Sequence, residues 1–113
     1  MSEFVFLFRA RKPMGSAEQQ QKTLQKWGAW MTDLNQRGLM ANPGLPLQDM
    51  AKRVAGPDRV VHDGPFAEIK DLVNGFIVVT ADDIDAACEI AQGCPIFEQG
   101  GGVEVRPVAS MTP

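Results

Sequence analysis

The chain has 113 residues, 44% of them apolar and 22% charged, with a formal net charge of −3. That length fits one domain spanning 1–113, long enough to bury its own core. An acidic balance without a long basic run argues against nucleic acid or an anionic membrane as a direct partner.

The first apolar run, Phe4-Val5-Phe6-Leu7-Phe8, is too short for a signal peptide or a membrane span and follows no basic segment. A cytoplasmic location and a first strand over Glu3 to Arg9 are expected. Arg9, Arg11 and Lys12 form the one local basic cluster, which a solvated strand end explains. Lys12-Pro13-Met14-Gly15 breaks the strand, and Ser16 with Gln19 three residues on has the spacing of a capping box. The spacing of Leu24, Trp27, Met31 and Leu34 predicts a helix from Ala17 to Arg37 with those residues as its buried stripe. Gly38 supplies its left-handed stop. Trp30 lies off the stripe and either lines a pocket, meets another subunit or closes the edge of the core.

Leu39 to Pro46, with two prolines and Gly44, reads as a connector. Leu47 to Val54 and Arg59 to His62 read as a hairpin turning at Gly56-Pro57-Asp58. Phe76 to Thr80 is a covered strand, and Thr80-Ala81-Asp82-Asp83 is an acidic helix start. Ile84, Ala87, Cys88 and Ala91 share one face of the second helix, which Gly93 and Pro95 end. Cys88 and Cys94 on one helix would lie roughly 9 Å apart at a rise of 1.5 Å per residue, too far to bridge. Gly100-Gly101-Gly102 has neither the lysine nor the helix start of a phosphate-cradling loop and reads as a flexible tip; no cofactor and no metal site are expected. Val103 to Val108 alternates as a half-exposed last strand.

This order of elements points to an α+β ferredoxin-like (split βαβ) sandwich, an antiparallel sheet with two helices on one face. The other face, apolar and bare, predicts a homodimer through the sheet.

Polar residues collect between two of the strands. Asp63-Gly64-Pro65 stops the strand carrying Val60 and Val61, and Phe66 pegs the loop that follows. A rigid corner of this kind is suited to a binding loop, and it reads as the lip of a pocket. His62, the only histidine, is a candidate base or a plain hairpin residue; Asp63 either caps the turn or serves a ligand. Adjacent positions on an extended strand project to opposite faces, which argues against a direct His62–Asp63 dyad. Glu68 and Lys70 share one side of an extended segment, and Glu104 and Arg106 share one side of the last strand. Each pair is either a solvated ion pair or part of a cleft, where Arg106 suits a carboxylate or phosphate.

The stretch Asp63-Gly64-Pro65-Phe66-Ala67-Glu68-Ile69-Lys70-Asp71 resembles the signature of the YCII-related family, also called the DGPF family. The likeness continues through Asn74-Gly75-Phe76, Asp85-Ala86-Ala87, Gly93-Cys94-Pro95 and the last strand, and so covers essentially the whole chain. The resemblance implies a dimeric α+β barrel made by two sheets. Similar barrels house cofactor-independent enzymes, whereas the placement of some members beside alternative sigma factors implies a regulatory module. By the same resemblance Asp63, Glu68, Lys70 and Arg106 line the cleft. Ile69 and Asp71 depart from the family's Thr and Glu, and Ile69 argues against a role that needs a hydroxyl at that position.

Three functions follow from this reading. The first is a small enzyme acting on an anionic or oxygenated metabolite, with Asp63, Glu68 or His62 moving a proton and Lys70, Arg106 and Trp30 holding the ligand. The second is a ligand-binding or regulatory module without turnover, and the third an oligomer whose charged patch is only surface.

Overall fold

Along β1, Ser2–Arg9, the phenylalanines Phe4, Phe6 and Phe8 are buried while Val5, Leu7 and Arg9 between them are half-buried. This period of two fixes which side of the sheet is the core. A computed structural model describes residues 1–11, 15–64, 68 and 72–110. Four strands form an antiparallel sheet in the order β2-β5-β1-β6, with β2 at Met40–Pro46, β5 at Gly75–Ala81 and β6 at Gly102–Pro107. β5 therefore lies between β1 and β2, which are joined through the helix α1, Ala17–Gln36. β1 in turn lies between β5 and β6, joined through α2, Ile84–Ala91. That interleaving of two strand-helix-strand units is the expected ferredoxin-like α+β sandwich.

The core joins Phe4, Phe6 and Phe8 to Ile77 and Val79 of β5, with Leu34 of α1 and Ala87 and Ala91 of α2 above them. Ile96, on a short 3-10 helix over Pro95–Gln99, completes it. Full burial of the Phe, Leu, Ile and Val side chains among these contributes about 1.5–3 kcal/mol each. Helix α1 begins at the expected capping box: Gln19 N donates to Ser16 Oγ at 3.2 Å, and Ser16 N donates to Gln19 Oε1 at 3.0 Å. It ends at Gly38, whose φ of 72° lets Leu39 N reach Leu34 O at 2.9 Å and Gly38 N reach Asn35 O at 3.1 Å. Asp83 caps α2, its carboxylate accepting from Ala86 N at 2.8 Å.

Four expectations are corrected. The proline-bearing connector is a sheet strand: Met40–Pro46 is β2, and the shorter β3, Lys52–Ala55, pairs only with β4, Val60–Asp63. Prolines are tolerated because β2 is an edge strand whose missing N–H groups would face away from the sheet, and its register slips on both sides of Asn42. Gly44, at φ 60°, presses on β5 where a Cβ would run into the Phe76 carbonyl, and its N–H donates to Asn42 Oδ1 at 2.8 Å. Leu24 does not join the buried stripe and is 70% exposed. Ile84 is likewise exposed rather than on the buried face of α2. The run Gly100-Gly101-Gly102 is not a free tip: Gly100, at φ 73°, caps the 3-10 helix and Gly102 begins β6.

Candidate functional site

On its helix-covered side, β5 presents Gly75, Ile77, Val79 and Ala81 in turn. The Gly75 end offers no side chain, and over it lies a cavity of about 850 Å³. Trp27, Met31, Leu24 and Thr23 project into it from one face of α1, at the 3–4 residue spacing that puts them above one another. Phe8, Ile77 and Ile96 make its inner wall, and Pro46, Leu47 and Met50 its outer one. The exposure of Leu24, Leu47 and Met50 places them at its rim. Trp27 is set by the ring of Phe8, edge to face at a centroid distance of 4.9 Å. A concave, mainly apolar space with a few polar groups is the ordinary form of a small-molecule site.

Those polar groups are Arg11, Thr23, Asp49, Asn74 and the side-chain amides of three glutamines. Asn74 is the most firmly held. Its N–H donates to Phe8 O at 2.7 Å, its carbonyl accepts from Leu47 N at 2.8 Å, and its Oδ1 accepts from Ala10 N at 2.7 Å. One residue thus joins β1, the entry to β5 and the segment after β2 at one end of the cavity. Lys26 ties α1 to Glu98 of the 3-10 helix at 3.0 Å, with both side chains more than half exposed.

The residues singled out from sequence lie elsewhere. His62 and Asp63 stand on the β3–β4 hairpin, every residue of which is exposed, and Asp63 pairs with Lys52 at 3.3 Å. Glu68 is exposed; Lys70, with Pro65, Phe66, Ala67, Ile69 and Asp71, lies outside the described residues. Glu104 and Arg106 do project from one side of β6, opposite Val103 and Val105, as the alternation predicts. That side is the face of the sheet away from the helices. There Glu104 meets Arg106 at 3.7 Å and Arg9 at 3.4 Å, and Arg9 also donates to Leu72 O at 3.1 Å. Trp30 closes the edge of the core, parallel to Phe6 at 6.5 Å and edge-on to Phe8 at 6.2 Å. None of His62, Asp63, Glu68, Arg106 or Trp30 is among the described residues lining the cavity.

Sequence reasoning missed Arg11, Leu24, Asp49 and Asn74 as site residues and assigned Trp27 to the core. A usable signal was present in the stripe Gln20, Thr23, Leu24, Trp27 and Met31, whose outer half is too polar to be core. Both cysteines are free, and burial, offset in part by a hydrogen bond to the Ile96 backbone, pushes the Cys94 thiol up to about 12. Among the described residues no group of three or more His, Cys, Asp or Glu could hold a metal ion, and no helix is long and apolar enough to cross a membrane.

In fold the chain is similar to 5-chloro-2-hydroxyhydroquinone dehydrochlorinase from Burkholderia phenoliruptrix, solved in complex with 2,5-dihydroxybenzoquinone. The two share 15% sequence identity at a TM-score of 0.52, over 98% of this chain and 95% of the other. No curated protein matches the chain in sequence. The YCII-related domain matches residues 4–112, and a match over nearly the full length shows that this chain belongs to the YCII-related family.

Proposed function

We propose that the chain takes up a small organic molecule in the cavity between α1 and the β2–β5 end of the sheet, and acts on it as a cofactor-independent enzyme. The observation that carries the uptake is the cavity itself, about 850 Å³, walled by Trp27, Met31 and Phe8 and held open by a glycine floor. The fold neighbour's name, a dehydrochlorinase, supports looking for turnover.

A second reading, a binding or regulatory module without turnover, has its own support. Among the described lining residues Asp49 is the one carboxylate, and no histidine or cysteine joins it. The proton-moving roles proposed for Asp63, His62 and Glu68, and the ligand-holding roles of Lys70, Arg106 and Trp30, therefore depend on assembly. A homodimer through the face bearing Val5, Leu7, Phe76 and Val78 would add a second copy's surface to the Arg9–Glu104–Arg106 cluster. The alternation of acid and base along β6 lets two copies meet with opposite charges facing.

A metabolite library read by thermal shift and then by turnover tests both readings. At least one compound should stabilise the wild type and lose its effect in Leu24→Trp, which fills the cavity from an exposed position without touching the core. Turnover of that compound supports the enzyme; stabilisation without conversion supports the module. Compounds that stabilise both proteins equally would remove the cavity as the site.

A further inference from the structure

The chemistry of one end of the cavity narrows what it binds, taking the cavity as the ligand site. Asn74 presents its side-chain amide there in a fixed orientation, because its Oδ1 is occupied by Ala10 N at 2.7 Å and its backbone is held at both N–H and carbonyl. The side-chain NH₂ makes no hydrogen bond to another described residue, and Asn74 lines the cavity, so this donor is available to a ligand bound there. Arg11 follows Ala10 directly in the chain and lines the same cavity. It is the one cationic group among the described lining residues and forms no ion pair with another described residue.

An Arg one residue beyond Ala10, whose N–H holds Asn74, gives one cavity both a guanidinium and an amide donor. Together they match an acidic oxygen pair: the fork of Arg takes one carboxylate oxygen or both, and the amide takes a remaining lone pair. The rest of the space is apolar, with the Trp27 indole, the Met31 thioether and the Phe8 ring forming a surface suited to a flat hydrophobic body. Asp49 also lines the cavity but reaches no cation of the described residues within 4.0 Å. Its charge weakens rather than abolishes the attraction for an anion, since both groups are exposed to solvent.

We propose that the cavity is selective for aromatic monocarboxylates, with the carboxylate at Arg11 and Asn74 and the ring against Trp27. The matched probes are 2-naphthoate and 2-naphthamide, nearly equal in shape and differing in charge. Binding is followed by calorimetry and by quenching of tryptophan fluorescence. The naphthoate is expected to bind at least tenfold more tightly than the amide to the wild-type protein. Arg11→Gln removes that preference, Arg11→Lys retains part of it, and Asn74→Asp, which keeps the acceptor for Ala10 N while replacing the donor by a negative charge, abolishes naphthoate binding. Asp49→Asn tightens naphthoate binding a few-fold and leaves the amide unchanged. Equal affinities for the two probes, or a preference that survives Arg11→Gln, would overturn the carboxylate assignment while leaving the cavity as a ligand site. Failure of both probes to bind would overturn the assignment to aromatic carboxylates, while the cavity reading stands or falls separately by the response of Leu24→Trp to the metabolite library.

Discussion

The cavity and the β3–β4 hairpin are two answers to the same problem of exposing useful groups on a small domain. The cavity is held from three directions: α1 brings Trp27 and Met31, β1 brings Phe8, and Asn74 knots the loop segments together. The hairpin is held by its own ladder, Lys52 opposite Asp63 and Val54 opposite Val61, with every residue exposed. An isolated two-stranded hairpin is of marginal stability in water, so its geometry alone does not preorganise a catalytic group. Conspicuous polar residues on such an arm are accessible; Asn74, inconspicuous in the sequence, is positioned. Positioning is what recognition and catalysis require.

Matched glycine substitutions should separate the two regions by the largest margin. Gly44→Ala drives a Cβ into the Phe76 carbonyl at a φ of 60°, and should cost about 2–4 kcal/mol as β2 lifts from β5 and the cavity wall with it. Gly56→Ala, at a similar φ of 79° but with open space around it, should cost about 1 kcal/mol. Urea denaturation of both variants checks the pair; similar losses would mean that the hairpin is as constrained as the sheet. Smaller effects are expected from the charges. Asp63→Asn and Arg106→Ala remove exposed partners, and each should change stability by less than about 1 kcal/mol. Should the wild type sediment as a dimer, its loss in Arg106→Ala would move that residue from surface charge to assembly.

The smallest effect at neutral pH belongs to Cys94. Its thiol, raised from 9.0 to about 12 by burial, should resist labelling by a disulfide reagent until the chain unfolds. The folded state holds the proton more tightly than the unfolded chain. The contribution to stability is thus complete below pH 9.0 and is lost as the pH rises from there toward about 12. Cys94→Ala should remove that part of the alkaline slope.

Much of the fold was legible because it rests on periodicity and caps. The Phe4-Phe6-Phe8 alternation, the Ser16–Gln19 box, the Gly38 stop and the Val103–Val105 alternation each act locally, and each stands where the sequence places it. β2 was not legible, since Pro43, Gly44 and Pro46 read as breakers and only an edge position with slipped register accommodates them. The site was less legible for a related reason. Sequence reading favours conspicuous groups, whereas Arg11 and Asn74 acquire meaning only once the sheet brings residues 10 and 74 within a hydrogen bond. Leu24 looked like core because helical spacing does not report that the β2 side of the sheet is lined by glycine and proline.

Amide and indole chemical shifts on addition of 2-naphthoate locate the ligand directly. Perturbations are expected to concentrate at the Trp27 indole, Thr23, Leu24, Asn74 and Leu47. Perturbations confined to the hairpin from Lys52 to Asp63, or to Glu104 and Arg106 on the opposite face of the sheet, would contradict that placement.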